Sequence, residues 1–319
     1  MNIRRSLISV VMVAFLVSLT ATSGAAQVNL CVNVFGGNQL QLGTARCDSD
    51  GSSIAIARGS ESRASAFGSS VARAFGNHSV AMAENNSIAT VFGNNSQADA
   101  SGGSNNLARV HGNNSLAYAR DGDNNTAIID GDDNVVYAQL GNGNSISIAG
   151  NGNVAFAAGG DNNTVAIIGM LNNARAVEGS GNTAVIDGDN NQSNAWFGDG
   201  NTATSIGNDS TATAGDGDDN IASATGTESI AVAIEGNTNT ATVEGDASDA
   251  YAWFGDENTA YVDGNDSTAT AGGVDSTSLG NGNTATVEGD GSFASASAPD
   301  GFEKIVVGDG QGGFCTVND

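Results

Sequence analysis

Residues 125–141 read NTAIIDGDDNVVYAQLG, and the alternation inside that stretch decides the fold. Asn125, Ala127 and Ile129 fall on alternate positions, Gly131 breaks the run, and Asn134, Val136 and Ala138 alternate again before Gly141. A period of two sends successive side chains to opposite faces of an extended strand, so one set points inward and the other outward. The stretch therefore predicts two short strands and two glycine-containing turns.

The pattern returns at every nineteenth position. Steps of that size from Gly93 to Gly264 meet glycine at all ten positions, and the series from Gly103 to Gly255 is glycine throughout. From Ala100 to Ala271 every position in step is alanine. Disordered low-complexity sequence does not hold phase over ten periods, so the chain is expected to be a stacked repeat. Inward positions of the first strand hold Val91, Val110, Ile129, Ile148, Ile167 and Ile186, and later Val243 and Val262. Facing alanine, they allow two sheets to lie closer than the usual ~10 Å. The expected fold is all-β, a parallel β-solenoid (β-roll or β-helix) of two-stranded coils.

Two polar columns accompany the alanines. One holds Asn106, Asn125, Asn144, Asn163, Asn182, Asn201, Asn220, Asn239 and Asn258. The other mixes Ser96, Ser115, Asn134, Asn153, Asn172, Asn191, Ser210, Ser229, Ser248 and Ser267. Amides stacked at ~4.8 Å can donate and accept along the stack. A structural ladder is the expected role, against simple turn preference or a row of ligand contacts.

Toward the N-terminus the period shortens, with Ala64 and Ala81 seventeen apart and Ala55, Ala72 and Ala89 spaced likewise. Near residues 272–282 the register slips, which reads as a deletion or an irregular loop. Residues 51–298 thus form about thirteen coils, a rod of roughly 60 Å. Residues 27–50 and 299–319 do not repeat and are expected to cap the two ends. Residues 1–26 read as a secretion signal: Arg4 and Arg5, the apolar run Leu7 to Leu19, short of the roughly 20 residues that span a bilayer, then Ser23-Gly24-Ala25-Ala26. The mature chain is accordingly expected to be secreted, extracellular or on a bacterial cell surface, with no membrane insertion. Cys31 and Cys47 are the local choice for a disulfide in an exported chain, which leaves Cys315 over.

Composition supports a thin-cored repeat: 45 glycines, one proline and 5% aromatic residues. Thirty-five acidic residues against ten basic ones give a net charge of −25, which disfavours nucleic acid and anionic membranes as partners. No basic residue lies between Arg175 and Lys304.

The stretch GSSVARAFGNHSVAMAENNSIATVFGNNS (68–96) resembles the head repeats of YadA-like trimeric autotransporter adhesins. That resemblance implies a parallel β-roll and an adhesive role. The units here are longer, and the tail GGFCTVND does not read as a membrane-anchoring β-barrel, so trimerisation and anchorage are not carried over. GDGDDNIAS (215–223) and GNGNSISIAGNGN (141–153) resemble RTX-type β-rolls, which implies calcium at glycine turns. The carboxylates that could serve are Asp123, Asp161, Asp199, Asp218 and Asp256, with Asp132, Asp189 and Asp246 in the neighbouring turn. Solvated charge that keeps the rod soluble is their expected role, calcium the alternative.

No nucleophile elbow, phosphate-binding glycine loop or Cys/His metal spacing occurs, and an enzyme is not expected. His78 and His111 read as surface residues at turns. The outward positions carry more information. Tyr118, Tyr137 and Phe156 recur in successive coils, and Trp196 and Trp253 are three coils apart; a surface protein or a glycan is the expected contact, and an oligomer remains open. Thr126, Thr164, Thr183, Thr202, Thr240 and Thr259 share a column, with Thr204 and Thr242 beside it, an array that would suit ice binding. Threonine is equally a good residue for an exposed strand face.

Overall fold

The computed structural model describes residues 28–273, 280–288, 291–297, 305–308 and 314–317. The expected signal at 1–26 lies outside them. The described chain is all-β and contains no helix: consecutive strands alternate between a 16-stranded and a 15-stranded sheet. Strands from Ile54–Arg58 to Phe293–Ala296 supply one strand per sheet to each of thirteen rungs of a parallel β-solenoid.

Register follows the repeat. In the first sheet Ala127 lies beside Ile146 and Ile129 beside Ile148, and in the second Val136 lies beside Ala155 and Ala138 beside Ala157. Each pairing joins equivalent positions of adjacent coils. In Thr126–Asp130, Ala127 and Ile129 are buried while Thr126, Ile128 and Asp130 reach the surface. Between the sheets runs a core of alanine, valine and isoleucine, with asparagine or serine buried at the start of each strand.

The glycine columns follow from how closely the turns stack. A Cβ on Gly131 would stand 1.8 Å from the carbonyl oxygen of Gly150 in the next coil, and the residue also has φ +140°. No L side chain fits there.

The departures from the regular period all lie in the second turn. Between Arg63–Phe67 and Val71–Phe75 that turn is Gly68-Ser69-Ser70, whereas Leu140-Gly141-Asn142-Gly143-Asn144 joins Val135–Gln139 to Ser145–Ala149. The two missing positions account for the shorter coils near the N-terminus. The slip near residues 272–282 is an insertion, not a deletion. Thr259 pairs with Thr284 and Thr268 with Phe293, each partner six positions beyond the regular step.

At the N-terminal end Leu30–Val34 runs antiparallel to both Asn38–Leu42 and Ile54–Arg58, laying a hairpin across the edge of the first coil. A disulfide joins Cys31 to Cys47, with Cα atoms 5.6 Å apart. In the segment expected to cap the other end, Ile305–Gly308 and Phe314–Val317 continue the two sheets in parallel register.

Candidate functional site

The middle outward column of the second sheet carries Asp99, Tyr118, Tyr137, Phe156 and Arg175, one per coil and in register. Strand pairing sets the rings one above another. Tyr118 and Tyr137 stack at 5.1 Å and 20°, Tyr137 and Phe156 at 5.1 Å and 7°. The Arg120 guanidinium sits 4.4 Å from the Tyr118 ring centre, and that of Arg175 5.6 Å from Phe156. Arg120 is itself held, by Gln139 at 3.0 Å, Asp121 at 3.5 Å and Asp99 at 4.0 Å.

This arrangement decides what the rings can do. Their faces are spent on one another and on arginine, so the ladder offers a ligand its ring edges and hydroxyls rather than open faces. Burial, then the neighbouring Tyr137, pushes the Tyr118 hydroxyl above its ordinary pKa, so it stays protonated at neutral pH. Beside the ladder lies a shallow depression of about 360 Å³, walled by Leu140, Phe156, Ala158 and Val177 with Arg175 and Glu178 at its rim.

The two tryptophans are not part of that ladder. Each occupies the column two residues further along its strand. Trp196 packs on Phe197 at 5.5 Å and lies over Gly215 of the next coil, where a Cβ would meet its Cδ1 at 2.1 Å. Its indole N–H is buried there without an acceptor. Trp253 sits between Tyr251 at 5.1 Å and Phe254 at 5.3 Å.

The threonine array is divided. Thr164, Thr183 and Thr202 are consecutive, as are Thr240 and Thr259, but Ser145 separates Thr126 from the first group and Ile221 separates the two groups. Threonines two abreast occur at Thr202 with Thr204 and at Thr240 with Thr242. Ile221, 45% exposed, stands between them.

The turn aspartates hold a role that differs from free solvated charge. Asp123 Oδ1 accepts the backbone N–H of Ser104 at 2.7 Å, Asp161 that of Asn142 at 2.6 Å, and Asp199 that of Ser180 at 2.6 Å. Asp218 and Asp256 accept likewise from Asp199 at 2.8 Å and Asn237 at 2.7 Å. In the other turn Asp132, Asp189 and Asp246 take the N–H groups of Asn113, Met170 and Thr227. Asn142 does the same for Asp123 at 2.8 Å, so amide and carboxylate are interchangeable here. One oxygen of each aspartate is thereby committed to the preceding coil. Among the described residues no three His, Cys, Asp or Glu side chains gather where they could hold a metal ion.

The buried asparagines form a ladder that runs through the backbone, with an amide-to-amide bond from Asn283 Nδ2 to Asn258 Oδ1 at 3.2 Å. Asn106 Oδ1 accepts the backbone N–H of Asn125 at 2.8 Å, and Asn106 Nδ2 donates to the Gly122 carbonyl at 2.8 Å. Asn125 repeats both bonds toward Asn144 and Gly141. A serine hydroxyl can do both jobs: Ser96 Oγ accepts from Ser115 N–H at 3.2 Å and donates to Gly112 O at 2.8 Å. That is why serine and asparagine share one column.

Of the two histidines, His78 is in a turn, 3.4 Å from Glu61, whereas His111 ends a strand and lies 3.2 Å from Asp130. No helix among the described residues is long and apolar enough to cross a membrane. No protein-family model, curated protein or solved structure matches the chain.

Proposed function

We propose that this chain is an exported, non-enzymatic rod of a bacterial surface or secretome, with a structural or adhesion role exercised through its repetitive outer face. The observation that carries the reading is the stacked Tyr118–Tyr137–Phe156 column, fixed by arginines and bordered by an apolar depression. A rigid row of aromatic edges and hydroxyls beside apolar walls suits a surface protein or a glycan. The solenoid holds it in place without loop ordering at the moment of contact.

The test is capture of partners, or glycan-array binding, by the mature chain with and without calcium. Wild type should bind, and Y118S/Y137S/F156S should lose at least about tenfold in affinity. Binding untouched by the triple change would remove the site.

Ice binding is a second reading, favoured by the paired threonines at Thr202/Thr204 and Thr240/Thr242. Ice grown in the purified protein should show shaped facets; smooth discs would end it. A calcium-loaded roll would melt at a lower temperature in chelator. The backbone bonds already made by Asp123 and its column weigh against that alternative.

A further inference from the structure

The opposite face of the rod holds arginines that no carboxylate among the described residues meets. In the first sheet, Ile54–Arg58, Val71–Phe75, Ile88–Phe92 and Leu107–His111 lie side by side in parallel register. Their outward positions include Arg58, Arg73 and Arg109, all exposed, and no aspartate or glutamate, in a chain with 35 acidic residues. Among the described residues the ion pairs involve His78, His111 and Arg120 only. The contrast with Arg120, tied down on the other sheet, is direct.

The rest of the face is built around these cations. Thr90 separates Arg73 from Arg109 in the same column and, though outward, is only 7% exposed. Phe75 and Phe92 stack beside them at 5.2 Å and 18°. Rings stacked along the rod turn their hydrogen-bearing edges outward, and an aromatic edge is electropositive. Arg73 and Arg109 are two rungs apart, ~9.6 Å at strand spacing, about the reach of two linked pyranose rings. A guanidinium fork matches carboxylate or sulfate oxygens in pairs.

We propose that this face binds an acidic oligosaccharide, a short chain of sugars bearing carboxylate or sulfate groups, with Arg73 and Arg109 each holding one anionic group and Arg58 a third. The site stands apart from the aromatic ladder on the other sheet and does not rest on it. The net charge of −25 does not forbid it. Charges are screened beyond ~8 Å at physiological ionic strength, so a ligand lying on four rungs meets these arginines first. A long polyanion such as duplex DNA would run on into the acidic coils that follow Arg175 and be repelled.

The experiment measures binding of the full mature chain to immobilised short uronate, sulfated and neutral oligosaccharides, with a DNA duplex alongside. Wild type should hold a uronate or a sulfated oligomer, the stronger of the two naming the anionic group, and ignore the neutral one and DNA. R73Q/R109Q should weaken that binding about tenfold or more. R73K/R109K should fall between. Sheet signal and melting temperature of the arginine variants should match wild type, because both residues are exposed. Absence of binding to both acidic oligomers overturns the proposal, as does equal binding by R73Q/R109Q or by the neutral sugar. Tighter capture of DNA than of sugar overturns the polysaccharide class.

Discussion

The coil over residues 145–158 encloses Ile146, Ile148, Ala155 and Ala157, whereas the coil over residues 221–234 encloses Ala222, Ala224, Ala231 and Ala233. The same backbone therefore closes around quite different side-chain volumes. In this second sector the first-sheet strands lengthen, whereas the equally all-alanine coils over residues 54–67 and 71–84 keep strands of five residues. Thr202–Asn208 and Ile221–Thr227 have seven residues instead of five and add the pairs Gly207 with Gly226 and Asn208 with Thr227. Outside, Trp196 covers Gly215 in this sector.

Between the sectors the core is polar. Ser193 and Ser205 point inward, donating to the carbonyls of Ala203 at 2.8 Å and Gln192 at 2.7 Å. The apolar core divides at this rung into one cluster ending at Ile186 and another starting at Ala195. This break should let the rod unfold in two units, although strand pairing and the asparagine ladder continue across it. Trp253 lies within the second unit and Trp196 on the dividing rung, so no tryptophan reports the coils before residue 183.

The largest effect is expected from Ala157→Asp. A carboxylate with no partner in the large-volume core should cost about 4 kcal/mol or more. Far-UV sheet signal should fall early on heating while the tryptophan transition stays near its wild-type temperature. Coincident loss of both would show one cooperative rod. Next, Ile148→Ala gives the first sector a core like the second and should cost about 3 kcal/mol in urea unfolding, with Val243→Ala at about half that.

The ladder should matter equally in both sectors, since its bonds do not depend on core volume. Asn163→Leu and Asn220→Leu should each cost about 2 kcal/mol by leaving a glycine carbonyl and a backbone N–H without partners. The corresponding changes to serine should cost less, because a hydroxyl keeps both bonds. Smaller again, S193A/S205V should restore an apolar rung, gain about 1 kcal/mol, and merge the two transitions into one.

The smallest effects separate the ends by pH. Burial raises the Asp249 carboxyl above its ordinary pKa, so its ionised form costs stability. That penalty is absent below the unfolded value and grows as pH rises through the folded one. Asp249→Asn should therefore raise the melting temperature at neutral pH and have no effect in acid. Asp50 is the reverse. The Gly68 N–H, with Ser53 and Ser52, holds its carboxyl well below the usual range, so its contribution is lost as pH falls beneath the unfolded value. Asp50→Asn should lower the melting temperature at neutral pH, with the difference closing in strong acid.

Much of this architecture is legible in one dimension. Identity at every nineteenth position places like residues over one another, and alternation by two assigns Ala127 and Ile129 inward and Thr126 outward, because both rules need only chain order and strand geometry. The insertion after Thr259 is ambiguous at that level, since a shift of phase looks alike whether residues are gained or lost. Which neighbour each long polar side chain reaches is settled only by the stacking of the coils. Asn106 bonds the backbone of the next coil rather than its amide, Asp123 caps the coil before it, and the Tyr118 column closes its own ring faces. Among the described residues Arg120 has carboxylate partners while Arg73 and Arg109 have none. Column membership follows from spacing. A hydrogen bond or an ion pair depends on differences of about an ångström between atoms of adjacent coils, and these exist only once the coils are stacked.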